Sequence, residues 1–143
     1  MSHRRALLLS LRPRYADAIL AGDKTVEIRR RPINAAIGTP IVLYASSPTR
    51  AVVGTARLAG VRICDPDTAW QQHYCDVGLS RAELDAYLDG ATLAYLLLLR
   101  HVQSLNEPLP LRHLRQDAPF QPPQSFRYVA ASDPSPLKEL VPA

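Results

Sequence analysis

Cysteine is nearly absent from this 143-residue chain, which holds only Cys64 and Cys75. Two cysteines cannot build the disulfide framework of a small secreted domain, and neither sits in a CxxC pair of the kind that holds zinc. Two buried or reduced thiols in a cytoplasmic protein are the expectation. Long apolar runs are missing as well. After Met1-Ser2-His3-Arg4-Arg5 only residues 6–9 are apolar in succession, too few for a signal-peptide core and far too few to cross a bilayer, so no membrane association is expected. His73, His101 and His113 lie far apart without ligand spacing, and no metal or cofactor is expected. Internal repeats and low-complexity segments are absent.

What remains is ordinary globular material. Hydrophobic residues make up 47% of the chain, enough for one domain with a core of its own. That domain is expected to span residues 1–131, with residues 132–143, carrying Pro134, Pro136 and Pro142, as a loosely held tail. The net charge of +4 hides a division. Residues 1–62 carry ten Arg and one Lys against Asp17, Asp23 and Glu27, a balance of +8, whereas residues 63–143 come to −4. A cationic half attracts polyanions by counterion release, which favours phosphate-bearing partners over neutral metabolites.

The local patterns predict a mixed α/β domain. Residues 6–11 form a short apolar run of strand length. Pro13 suits a first helical position, Tyr15 and Ile19 share a face at i and i+4, and Gly22 supplies a left-handed exit. From Lys24 the pattern turns to period two. Val26 and Ile28 point inward, and Thr25, Glu27 and Arg29 point the other way, as in a half-buried strand. Residues 41–45 and 51–61 read as further strands, the latter with Gly54 marking a bulge or a close backbone approach. Three strands in succession favour a curled sheet.

Asp65-Pro66 starts a helix with Trp70 and Tyr74 at i and i+4. Ser80-Arg81-Ala82-Glu83 is a capping-box pattern opening another, closed by Asp89-Gly90. Trp70, Tyr74 and Tyr87 are expected in the core. Residues 93–99 fit a central strand covered on both sides, with a helix as the alternative. The proline-rich stretch 107–123 is expected to wrap across the surface, with a helical turn around Leu111 and Leu114, and residues 125–129 to form a closing strand.

Chemistry concentrates between Leu11 and Arg31, where one lysine, a glutamate three places on and five arginines share a helix and a strand. Regular structure fixes side chains better than loops do. Neighbouring arginines would strip a proton from Lys24 while Glu27 would hold it there, and composition leaves the balance open. The plain alternative is that Glu27 merely pairs with Lys24 or Arg29.

Ser10-Leu11-Arg12-Pro13, the helix to Gly22, Lys24-Thr25-Val26-Glu27-Ile28-Arg29-Arg30, Tyr44-Ala45-Ser46-Ser47-Pro48 and Val53-Gly54 together resemble an ASCH domain of the PUA-like superfamily. Pro122-Pro123-Gln124-Ser125-Phe126-Arg127-Tyr128 is similar to the closing strand of this branch. The resemblance implies a small mixed β-barrel, of α+β class, with helices packed at its openings, and a polar cleft beside the first helix. It also implies RNA or nucleotide binding, in some members tied to transcription or translation. Other members are hydrolases that deacylate acetylated cytidine or cleave single-stranded RNA. In the deacylating members a threonine follows the matching lysine by three residues. Here that place belongs to Glu27, and a carboxylate cannot stand in for an ester-forming alkoxide.

The expected site is thus a cationic cleft built from residues 10–50 and closed by 124–128, with RNA or a nucleotide as partner. Arg12, Lys24, Arg29, Arg30 and Arg50 are candidates for phosphate contacts. Tyr44, Ser46, Ser47, Ser125 and Tyr128 are candidates for holding a base or sugar, although Tyr44 also fits the barrel core and Ser46 and Ser47 fit a turn. Lys24 and Glu27 would be catalytic if the chain is a hydrolase. A protein-interaction role for the acidic second half has no residue pattern behind it.

Overall fold

The computed structural model describes residues 5–142. Eleven elements follow in chain order: β1 (Leu7–Leu11), α1 (Pro13–Ala21), β2 (Val26–Arg29), β3 (Pro40–Ala45), β4 (Ala51–Cys64), α2 (Pro66–His73), α3 (Arg81–Tyr87), β5 (Ala94–Pro110), α4 (Leu111–Asp117), β6 (Phe126–Tyr128) and α5 (Ser135–Lys138). The strands form one six-stranded sheet in the order β2-β5-β4-β3-β1-β6. Only β1 and β3 pair in parallel, Ser10 lying beside Tyr44; the other pairings are antiparallel.

The long strands β4 and β5 provide the curl. Their register shifts at three points along the ladder, and each shift bends the ribbon. One of them lies at Gly54, where a Cβ would come 2.6 Å from the backbone oxygen of Gln103 and 2.6 Å from Leu20 Cδ2. Only a residue without a side chain lets these backbones meet so closely, as the sequence indicates.

Alternation along the strands sorts the core into three layers. Leu7, Leu9 and Leu11 of β1 join Ile41, Leu43, Leu58 and Leu97 inside the curl, where Ala16 and Ile19 of α1 pack on them. Leu8, Val42, Tyr44 and Val52 point the other way, under Leu111 and Leu114 of α4 and Leu137 of α5. Val26, Ile28 and Leu96 pack beneath Ala69 of α2 and Leu84 and Leu88 of α3. Strands β1, β2, β3 and the first part of β5 are thereby buried on both faces. For β5 this was expected, and the strand reading of residues 93–99 prevails over the helical one. For β2 it was not: Glu27 and Arg29 are each only 7% exposed, so the strand predicted as half-buried is wholly buried.

Helix ends follow the predicted signals. Pro13 starts α1, and Gly22 closes it with φ of 85°. Asp65 caps α2 through the Thr68 N–H, and Ser80 and Glu83 exchange both capping-box bonds at α3. No helix among the described residues is long and apolar enough to cross a membrane.

Three expectations change. The strand β5 runs on to Pro110 instead of yielding to a surface wrap at residue 107. Its partner β2 stops opposite Leu98, so beyond that point β5 is an edge strand and Pro108 and Pro110 forfeit no ladder bond. The segment after Ala131 is held rather than loose. Leu137 is fully buried, Asp133 takes two hydrogen bonds from Arg127 (2.8 and 2.9 Å), and Asp117 accepts the Ser135 N–H at 2.7 Å. Tyr74 is 56% and Tyr87 41% exposed, because α2 ends before Tyr74 and because Leu84 and Leu88 occupy the apolar face of α3. Both cysteines are free, as the expectation of buried or reduced thiols allows, Cys75 being exposed and Cys64 half-buried.

Candidate functional site

The parallel pair β1 and β3 ends at one place, and both chains leave the sheet as polar segments. Ser10, Leu11 and Arg12 emerge from β1, and Tyr44, Ser46 and Ser47 from β3, tied together by the Ser46 N–H donating to Leu11 O at 2.8 Å. A cleft of about 950 Å3 opens there. Arg12 and Tyr15 of α1 form one wall and Glu83, Ala86 and Tyr87 of α3 another. Lys24, Glu27 and Arg29 lie in the floor, Arg50, Leu111 and Arg115 stand at the far end, and residues 121–125 form the lip.

The floor is an ion network. Glu27 Oε1 lies 3.2 Å from Lys24 Nζ, and Glu27 Oε2 accepts a hydrogen bond from Arg29 at 2.6 Å. Lys24, 1% exposed, also donates to the backbone oxygen of Val77. Its methylene stem runs against Gly78, where a Cβ would press on Lys24 Cβ and Cδ at 3.1 Å, so the loop must carry glycine for the lysine to lie flat. Two further bonds place the lysine from behind. With α1 ended at Gly22, the N–H groups of Asp23 and Lys24 both turn back onto Ala18 O, at 2.9 and 3.1 Å.

Burial settles the balance that composition left open. Desolvation pushes the Lys24 pKa below its ordinary value, and the attraction of Glu27 only partly restores it. Arg29 repels in the same direction as burial but counts for less than either. Glu27 pairs with Lys24 and Arg29 at once, where the sequence offered one or the other.

Arg29 serves the barrel more than the cleft. The sheet is open between β2 and the β1–β6 edge, and the Arg29 guanidinium spans this seam. One terminal nitrogen donates to Ser10 O (2.9 Å) and Glu27, the other to Ser125 Oγ (2.8 Å) and Ser125 O (3.3 Å). Only its Nε and the hydroxyl of Ser10 are left as buried polar atoms without a partner among the described residues.

Arg12, Lys24, Glu27, Arg29, Tyr44, Ser46, Ser47, Arg50 and Ser125 therefore come together, as expected. Arg30 and Tyr128 do not. Arg30 turns away from its neighbour Arg29 along the strand and donates to Tyr87 O at 3.3 Å. The Tyr128 hydroxyl is committed to Asn34 O at 2.7 Å, with the Arg5 guanidinium 3.7 Å above its ring. Tyr44 proves to be both core and cleft. It follows the bulge that separates the Leu43 and Tyr44 pairings, and burial raises its phenol pKa against the pull of Arg50 and Arg115.

Sequence reading missed Tyr15, Glu83, Tyr87 and Arg115 as cleft residues. Tyr15 and Tyr87 had helical spacing that also signals core. Glu83 was assigned only to its cap, and it meets Arg14 of α1 in a two-pronged ion pair. That pairing and the cap together lower the Glu83 pKa from 4.5 to about 2.

The family model of the ASCH domain matches residues 9–106. The chain belongs to the ASCH domain family. It is 35% identical over 138 residues to an ASCH domain-containing ribonuclease of Zymomonas mobilis, an alignment that covers 96% of this chain and 93% of that protein. The crystal structure of ASCH from Zymomonas mobilis superposes with a TM-score of 0.87 at 33% identity, covering 98% of each chain. A Pseudomonas putida protein shares the fold at a TM-score of 0.55 and 18% identity, over 94% of this chain and 98% of that one. The ASCH fold accounts for the mixed, curled sheet with helices at its openings, and the expected PUA-like architecture stands.

Proposed function

We propose that this ASCH domain binds single-stranded RNA in the cleft and cleaves its phosphodiester backbone. The observation that carries the reading is the buried lysine at the bottom of an arginine-rimmed hollow. Arg12, Arg50 and Arg115 line walls that a polyanion meets first, and the rings of Tyr15, Tyr44 and Tyr87 line the same space, where unpaired bases can stack. Lys24 is so enclosed that only a small group reaching the floor can meet it, which suits a phosphate oxygen and not a base. The near full-length resemblance to a protein named a ribonuclease supports cleavage over binding alone.

The chemistry follows from the proton inventory. Of the three N–H bonds of the Lys24 ammonium, one goes to Val77 O and one to Glu27, leaving one for the substrate. When a hydroxyl or water attacks phosphorus, its proton passes to solvent as the bond to the ribose oxygen breaks, and negative charge grows on the non-bridging oxygens and on that departing oxygen. A fixed ammonium in a dry floor stabilises the first and can protonate the second, and a lowered pKa makes it the better proton donor near neutrality. Glu27 and Arg29 position the ammonium.

The test uses end-labelled single-stranded RNA with the parent protein, Lys24→Met and the pair Arg12→Ala/Arg50→Ala, scored for cleavage on gels and for binding by fluorescence anisotropy. Cleavage by the parent, its loss in Lys24→Met with binding kept, and weakened binding in the arginine pair are expected. RNA bound but left intact by the parent would reduce the function to binding. RNA neither bound nor cut would remove it.

A further inference from the structure

The far wall of the cleft is shared with a second hollow. Arg50, Leu111 and Arg115 line both, and the second, of about 600 Å3, continues past them to Thr49, Arg112 and Gln116. Arg50 stands on the threshold between the two. It adopts a left-handed conformation (φ 50°), and its backbone is clamped on both sides, its N–H donating to Ser46 O (3.2 Å) and its carbonyl accepting the Leu111 N–H (2.9 Å). That clamp joins the end of β3 to the start of α4. On α4, Arg112 and Arg115 are three residues apart and project to the same side of the helix, and both are exposed. Arg115 spends two of its nitrogens on Phe120 O (3.1 Å) and Gln121 Oε1 (3.4 Å), which orients the third. Arg112 has no hydrogen-bond or ion-pair partner among the described residues.

We propose that this lane is a subsite for the phosphates flanking the nucleotide held in the main cleft, so that the substrate is an oligonucleotide several residues long and not a nucleoside. The inference rests on the RNA reading of the cleft and extends it. Three guanidiniums lining one hollow that adjoins the cleft and shares Arg50 and Arg115 with it suit a repeating monoanion. A nucleoside, which carries no phosphate, would leave all three unused. The lane also fixes a direction of exit, away from the α3 wall that carries Glu83 and towards α4.

Length-dependent binding tests the proposal, with oligouridylates of two and eight nucleotides whose 2′ hydroxyls are blocked by methylation as probes. Affinity of the parent is expected to rise at least tenfold from the dimer to the octamer. Arg112→Ala, which lies outside the main cleft, should weaken octamer binding three- to tenfold and reduce the steepness of its salt dependence by about 0.7 in log–log slope. Dimer binding should not change, and Arg112→Lys should recover most of the octamer affinity. Equal affinities for both lengths, or an octamer indifferent to Arg112→Ala, would overturn the lane while the cleft still binds the dimer. Failure of both probes to bind at all would take the RNA reading down with it.

Discussion

Lys24 and Glu27 face each other at 3.2 Å in a floor where the lysine keeps 1% of its surface, yet the carboxylate is shared with Arg29, so two cations rest on one anion. The network buries an excess positive charge. A core built for stability alone has no reason to do this, because each buried ion carries a desolvation penalty of several kcal/mol.

Replacing the lysine should therefore separate stability from activity. In Lys24→Met the stem is conserved, the Glu27–Arg29 pair stays neutral, and Val77 O and Glu27 Oε1 each lose one donor. Unfolding free energy should stay within about 2 kcal/mol of the parent, while RNA cleavage falls about 100-fold or more. Urea titrations and initial rates measure the two.

The same variant has a signature in pH. Burial lowers the folded-state pKa of Lys24 below 10.5, so between the lowered value and 10.5 the unfolded chain binds more protons than the folded one. Stability contributed by this group therefore rises with pH across that window. Lys24→Met should flatten the rise, as measured by urea midpoints on the alkaline side of neutrality.

Removing the anion is the harsher change. Glu27→Gln leaves the Lys24 ammonium and the Arg29 guanidinium buried with no countercharge between them. A loss of about 3–5 kcal/mol is expected, visible in the denaturation midpoint, together with a further fall in the Lys24 pKa.

At the mouth of the cleft a carboxyl gives a slope of the same sign in the acid range. The Glu83 carboxyl, lowered to about 2 by Arg14 and the Ser80 cap, lends α3 support that is complete above 4.5 and disappears as pH falls through about 2. Carboxyl-detected NMR should place its midpoint near 2. In Arg14→Ala the midpoint should move back towards 4.5, stopping short because Ser80 still donates its N–H at 2.9 Å.

Gly54→Ala tests the close approach of β4 to β5 at Gln103. The new methyl would meet the Gln103 carbonyl, which cannot rotate aside, at 2.6 Å. A destabilisation of about 1–3 kcal/mol is expected, with RNA affinity little changed in the fraction that stays folded.

The fold was legible wherever local chemistry and tertiary packing agree. Pro13 and Gly22 bracket α1, Ser80 and Glu83 cap α3, and period-two alternation separates Val26 and Ile28 from Glu27 and Arg29. Pro108 and Pro110 misled because a proline's cost in a strand depends on whether a neighbouring strand is present, which a single sequence does not display. Half of the cleft was legible through the cluster from Arg12 to Arg50. Tyr15, Tyr87 and Arg115 were not, since an aromatic at helical spacing reads alike on a core and on a cleft wall. Summing charge by halves also concealed two arginines of α4 within an acidic balance. Arg30 and Tyr128 were chosen for their chemistry, but strand alternation and the bond to Asn34 send them elsewhere.

The paired bonds from Asp23 and Lys24 back onto Ala18 act as a ruler. They set the lysine at a constant remove from the last turn of α1, and β2 starts two residues later. Inserting or deleting a single residue there would swap which faces of β2 look into the barrel and lift the ammonium off its carboxylate. Segment length is thus under tighter constraint than most of its side chains, and anyone transplanting this floor into another barrel must move helix, turn and strand as one block.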